Sequence, residues 1–134
     1  MDAAARRLVC DRAANRCEYC LLPQSAAPFV RFHVDHVRPR QHRGDDRLGN
    51  LCLSCQHCNS HKGTNLAAFD PDTDERVWVF NPREQQWLEH FQLQGHRIVG
   101  ITAVGRATAN LFQMNDEERI EIRKQLIAGE EFPI

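Results

Sequence analysis

Two CxxC pairs, Cys17/Cys20 and Cys55/Cys58, constrain this chain more than any other feature. Each pair places two thiols on one tight turn, and two such turns can surround a single tetrahedral Zn²⁺ with four thiolates. An ion held at both ends draws the segment between the pairs into a loop. That loop carries His33, Asp35, His36 and Asn50, and Asn59 directly follows the last cysteine. The cysteine pairs therefore read as scaffold and the loop as the carrier of chemistry. The zinc is expected to be structural, because the N-terminal half holds few large apolar residues relative to polar ones. A reduced, metal-free thiol cluster is the alternative, and a disulfide framework fits pairs flanked by His and Asn poorly.

At 134 residues the chain fits one domain, which would bury about two-thirds of its unfolded surface. No apolar run approaches the roughly 18 residues of a membrane span, so no membrane association is expected. The opening Met-Asp-Ala-Ala-Ala-Arg-Arg lacks the apolar stretch of a secretory leader. A cytoplasmic location is the expectation, where six cysteines favour metal over disulfides. The net charge of −1 conceals an asymmetry: residues 1–64 hold ten Lys/Arg against six Asp/Glu, and residues 65–134 hold seven against twelve. Arg31, Arg38, Arg40, Arg43 and Arg47 surround the polar loop, so a polyanion would approach the first half. Surface arginines that merely keep a small protein in solution would look the same.

Local patterns give an α+β chain. Residues 3–15 read as a helix, residues 29–37 as a strand stopped by Pro39, and residues 41–50 as loop. A short strand over 51–53 and a helix from the second cysteine pair through Asn59 and Lys62, ending near Gly63, complete the first half. Composition shifts at Asp70-Pro71-Asp72-Thr73-Asp74. Beyond it, strands are expected over 76–80, 86–93 and 97–102, then a helix with Ala107, Leu111 and Met114 on one side. A last helix is capped by Asn115, with Glu118 completing the box, and runs to Gly129. The organisation is a core over residues 1–67 and a β-β-β-α-α extension over 68–134 packed on it as one unit. Trp78, Phe80, Trp87 and Phe91 read as core rather than as base-stacking platforms, with Cys10 and Cys52 as small core residues.

Phosphodiester hydrolysis requires an activated water, neutralised phosphate charge and a stabilised leaving oxygen. An imidazole neutral near pH 7 can take the proton, which His36 supplies. A divalent cation on hard oxygen ligands can do the rest, with Asp35 and the Asn59 amide as those ligands. A neutral Asn in place of a second carboxylate keeps the ion electrophilic. Each residue also has a plainer reading: His36 as a buried hydrogen-bonding histidine, Asp35 as the partner of a nearby arginine, Asn59 as a helix cap. His33, two residues from Asp35, faces the same side of a strand and can support it. Lys62 and Arg40 can contact a DNA backbone, although one basic residue on a helix is usually just surface. Arg106, at a helix start, is a weaker candidate for binding phosphate.

These residues resemble the HNH endonuclease family, the ββα-metal nucleases. The match lies in Cys17-Glu-Tyr-Cys20, His33-Val-Asp-His36-Val-Arg-Pro39, Asn50-Leu51 and Cys55-Gln-His-Cys58-Asn59-Ser-His-Lys62-Gly63. It covers about residues 10–66. The stretch containing Phe80-Asn-Pro-Arg83 and Gly105-Arg-Ala-Thr108 also looks like the tail of bacterial HNH proteins. The resemblance implies a ββα-metal core with structural zinc, His36 as general base, and Asp35 as ligand of the catalytic metal. It further implies that Asn50 holds the base-carrying loop through backbone hydrogen bonds and that cleavage leaves 5′-phosphate and 3′-hydroxyl ends. The position of the last family letter is Asn59 rather than His, a departure that favours Mg²⁺ or Mn²⁺ over Zn²⁺. DNA is the implied partner, and a protein partner or homodimer stays open. The competing reading is a zinc-knuckle module that binds nucleic acid or protein without cutting.

Overall fold

The computed structural model describes residues 2–134, which form two compact units: residues 2–64 with Asn81–Glu84, and Asn65–Phe80 with Gln85–Ile134. The chain is a mixture of helices and small antiparallel sheets, an α+β fold. Among the described residues no helix is long and apolar enough to cross a membrane.

In the first unit, α1 spans Ala3–Arg12 and is started by Asp2, whose carboxylate accepts from the Ala5 N–H at 2.7 Å. It ends earlier than its Ala-rich composition suggests. Ala14 and Asn15 take left-handed φ values of 53° and 56° and turn the chain toward the first cysteine pair. Strands β1 (His33–His36) and β2 (Leu51–Ser54) pair antiparallel, with Asp35 opposite Cys52 and His36 opposite Leu51. The expected strand over 29–37 shrinks to four residues because β2 offers only four partners. Phe29, Val30 and Arg31 are left exposed ahead of it.

Helix α2 (Gln56–Lys62) follows β2 directly, and Gly63 ends it at a φ of 52° that favours glycine. Its N-cap is Cys55, so Asn59 lies inside the helix and does not cap it. Val9, Tyr19, Leu22, Phe32, Leu51 and Leu53 form the buried core of this unit. Arg12 ties α1 to the hairpin by donating to the carbonyls of Leu48 at 2.9 Å and Leu51 at 2.5 Å. Glu18 accepts from the Leu53 N–H at 2.8 Å and pairs with Arg83, which brings the Asn81–Glu84 segment into this unit.

The second unit contains the hairpin β3 (Ala67–Phe69) and β4 (Arg76–Trp78), helix α3 (Trp87–His90), the hairpin β5 (Phe91–Gln94) and β6 (Arg97–Gly100), and helices α4 (Ala103–Leu111) and α5 (Glu117–Ala128). Its order is thus β-β-α-β-β-α-α. The alternating stretch over 86–93 divides into a helical turn and a strand. Phe80, Phe91, Ile98, Ala107, Phe112 and Met114 are buried. Gly105 lets α4 close on the chain: a Cβ there would stand 1.9 Å from the His90 carbonyl oxygen.

Three expectations are corrected in this unit. Trp78 is not core but 71% exposed, since strand composition does not say which face is covered. Asn115 does not cap α5, whose N-cap is Asp116. Its amide instead accepts from the Ile98 N–H at 2.9 Å and donates to the Ile98 carbonyl at 2.7 Å. Arg106 pairs with the buried Asp70 carboxylate at 2.8 Å, which it holds well below the usual carboxylate range, and is committed to this internal ion pair.

Candidate functional site

The four paired cysteines converge. Cys17, Cys20, Cys55 and Cys58 are all buried, and their sulfurs lie within 4.8 Å of one another. Zn–S bonds of about 2.3 Å set tetrahedral neighbours about 3.8 Å apart, and Cys20 Sγ stands 3.7 Å from Cys55 Sγ. The turns supply amide donors: the Cys20 N–H points to Cys17 Sγ at 3.5 Å and the Cys58 N–H to Cys55 Sγ at 3.4 Å. Burial pushes the Cys17 thiol well above its ordinary value when no cation is present. A divalent ion removes that penalty by binding the thiolates, so the donor set fits zinc. Cys52 is buried elsewhere, with its Sγ 3.5 Å from the Tyr19 hydroxyl, and does not join the four. Cys10 is only half-buried.

Asp35 and His36 come off the end of β1, and α2 supplies what holds them. Lys62, 1% exposed, places its Nζ 3.3 Å from Asp35 Oδ2 and donates to the His36 carbonyl at 3.1 Å. Burial raises the Asp35 carboxyl above its ordinary value, and the Lys62 ammonium and the His36 charge oppose that rise. Asp35 Oδ2 is a buried oxygen whose contact with Lys62 is an ion pair rather than a well-aligned hydrogen bond. A carboxylate offers hard oxygen donors of the kind that Mg²⁺ or Mn²⁺ takes. Asn59 precedes Lys62 by three residues, which puts it one turn back on the same side of α2.

Lys62 reads in the sequence as a DNA-backbone contact or a plain surface residue. Its helical phase turns it inward instead. Lys62→Met keeps the volume but strands the Asp35 carboxylate, and removing one partner of a buried pair costs about 3 kcal/mol. Urea unfolding of the zinc-loaded protein checks this; unchanged stability contradicts the role.

The His36 ring is held from the side. Its Nε2 lies 2.7 Å from Asp46 Oδ1, which also accepts from Arg40 Nη2 at 2.7 Å. The His36 hydrogen bond, with help from Arg40, lowers the Asp46 carboxyl below its ordinary value. An ionised Asp46 accepts a hydrogen bond from the Nε2–H, which makes Nδ1 the nitrogen that carries the lone pair. Nothing in the sequence flags Asp46. It sits ten residues from His36 in a stretch of loop composition, and only the loop's closure brings the two together.

Asn50 makes that closure. Its Oδ1 accepts from the Arg38 N–H at 2.8 Å, and its Nδ2 donates to the carbonyls of Arg38 at 3.0 Å and Asp45 at 2.8 Å. Gly44 fits beneath the same strap: a Cβ there would stand 1.6 Å from the Arg38 carbonyl oxygen. His33 goes elsewhere, its Nε2 2.5 Å from Gln56 Oε1 at the start of α2 rather than on Asp35. Arg40 stays largely exposed beside Asp46.

Residues 17–65 match the family model described as HNH endonuclease. No curated protein and no solved structure matches the chain. The matched stretch contains all four converging cysteines together with His33, Asp35, His36, Asn50 and Asn59, so this part of the chain is similar to an HNH endonuclease domain.

Proposed function

We propose that the protein is a metal-dependent endonuclease that hydrolyses DNA phosphodiester bonds, on a ββα-metal core formed by residues 1–67. The observation that carries this reading is the pairing of a buried Asp35 carboxylate, held by Lys62, with a neighbouring histidine, His36, whose Nε2 is already engaged. Together these supply a seat for a hard cation and a nitrogen base. Four thiolates would hold the structural zinc. Asp35 and Asn59 would hold Mg²⁺ or Mn²⁺, which supplies neutralisation of phosphate charge and support for the departing 3′ oxygen.

The chain's own steps follow from the contacts. Asp46 fixes the ring so that His36 Nδ1 accepts a proton from the attacking water and shares the positive charge that results. Asn50 keeps the loop closed so that Asp46 and His36 stay in register. Lys62 prevents the Asp35 carboxylate from turning away. Residues 68–134 form an extension whose acidic balance keeps it from being the main DNA-gripping surface.

The test is supercoiled plasmid incubated with zinc-loaded protein, with and without added Mg²⁺ or Mn²⁺. Nicked and linear product carrying 5′-phosphate ends is expected only with the added ion. Binding without any cleavage under all conditions would leave the zinc-knuckle binding module as the function. Asp46→Asn presents an amide to Nε2 and lets the ring take the wrong tautomer. The expected loss in rate is about tenfold to a hundredfold, with zinc content unchanged. A rate equal to wild type would remove Asp46 from the site.

A further inference from the structure

Phe29 is 98% exposed, yet its loop is not loose. Gln24 fastens it three times: its Nε2 donates to the carbonyls of Ala27 at 3.0 Å and Val30 at 2.9 Å, and its Oε1 accepts from the Phe32 N–H at 2.8 Å. The Val30 N–H also reaches the Ala27 carbonyl at 3.2 Å. Below the tip, the buried Phe32 anchors the chain, and Arg6 Nη2 donates to the Phe32 carbonyl at 2.7 Å. Single exposed apolar residues are common and by themselves mean nothing. Here a side-chain amide commits its hydrogen bonds to hold a phenyl ring in water, with half-exposed Val30 beside it.

The surroundings carry a charge signature. An open cleft of about 520 Å³ adjoins the ring and is lined by Arg6, Arg31, Asn15 and Gln24. No carboxylate lines it among the described residues. A rigid apolar tip beside two guanidinium groups and the Asn15 amide complements a stacked, phosphate-bearing polymer. It does not suit an acidic-patch-seeking cation or a purely apolar peptide. Seven residues separate Phe29 from His36, a reach of at most about 25 Å. At 3.4 Å per base pair that lies within about seven base pairs of the cleaved bond.

We propose that Phe29 is a wedge that enters a base step of duplex DNA, with Arg31 on the flanking phosphates. The wedge opens the stack near the bond that is cut. This rests on the endonuclease reading for its substrate and names where the protein distorts that substrate.

The test uses a short duplex containing 2-aminopurine, whose fluorescence rises on unstacking, with the His36→Ala chain as a non-cutting binder. Binding should raise the fluorescence. Adding Phe29→Ala should abolish the rise and weaken binding about tenfold, within the range of one aromatic–base contact. Phe29→Trp should restore both. In an otherwise wild-type chain, the loss from Phe29→Ala should fall on the DNA concentration that half-saturates cleavage. Because the ring is exposed, its removal leaves folding intact, which the melting curve checks. If the parent chain cuts DNA and Phe29→Ala has the same half-saturating concentration and the same fluorescence rise, the wedge is overturned and the nuclease reading stands. If the parent chain never cuts yet unstacks DNA in a Phe29-dependent way, the wedge stands and the nuclease reading falls. Absence of DNA binding overturns both.

Discussion

Replacing Cys17 by Ser is expected to unfold the first unit and leave no active fraction. Structural zinc in small domains contributes roughly 10–16 kcal/mol of apparent binding free energy, against a total stability of about 5–15 kcal/mol for a whole domain. The first unit has a modest apolar core, and Cys17, Cys20, Cys55 and Cys58 are four of its buried residues. They also join the turn before β1 to the N-cap of α2. Without the ion, burial keeps the Cys17 thiol protonated, and nothing in its place ties the two turns together. Circular dichroism together with zinc content measures the effect. Wild type should carry one zinc per chain and lose helical signal when a strong chelator removes it. A Cys17→Ser chain that stays folded with no zinc would contradict the structural role.

The second large effect is His36→Ala. General-base contributions run from about a hundredfold to ten-thousandfold in rate, and that is the expected loss in single-turnover plasmid cleavage. The zinc site should be untouched, because His36 lies on β1 and its ring bonds to Asp46 rather than to any thiol. The half-buried ring leaves a gap open to solvent, so added imidazole should restore part of the rate. This rescue separates lost chemistry from lost structure. Equal rates in wild type and His36→Ala would take His36 out of the mechanism.

How much of this was legible in the sequence depends on how local each cause is. The cysteine pairs were legible because a CxxC turn and tetrahedral thiolate geometry are short-range facts, and all four residues converge as read. The helix over Gln56–Lys62 and its stop at Gly63 follow from glycine's tolerance of positive φ. Asn50 was named from the family resemblance rather than from its surroundings. What escaped was set by distance. Asp46 meets His36 only because Asn50 straps the loop shut. Lys62 is buried because three residues after Asn59 bring it round to β1, a matter of helical phase against a strand whose position the sequence does not state. Asn115 looked like a cap, but the paired donor and acceptor of Ile98 offered its amide two bonds where a cap offers one. The exposure of Trp78 shows the same limit: a pattern rich in Val, Trp and Phe marks a strand but not what lies over it.

Titrating Mn²⁺ into the zinc-loaded protein while following both bound Mn²⁺ by electron paramagnetic resonance and plasmid cleavage tests the account most directly. It requires that the carboxylate of Asp35 and the amide of Asn59 form one cation seat that the reaction depends on. Cleavage should appear over the same Mn²⁺ range in which one ion binds, and Asp35→Asn should lose both while retaining its zinc. Cleavage at full rate with no added divalent ion, or an Asp35→Asn chain that binds Mn²⁺ and cuts as wild type does, would contradict it.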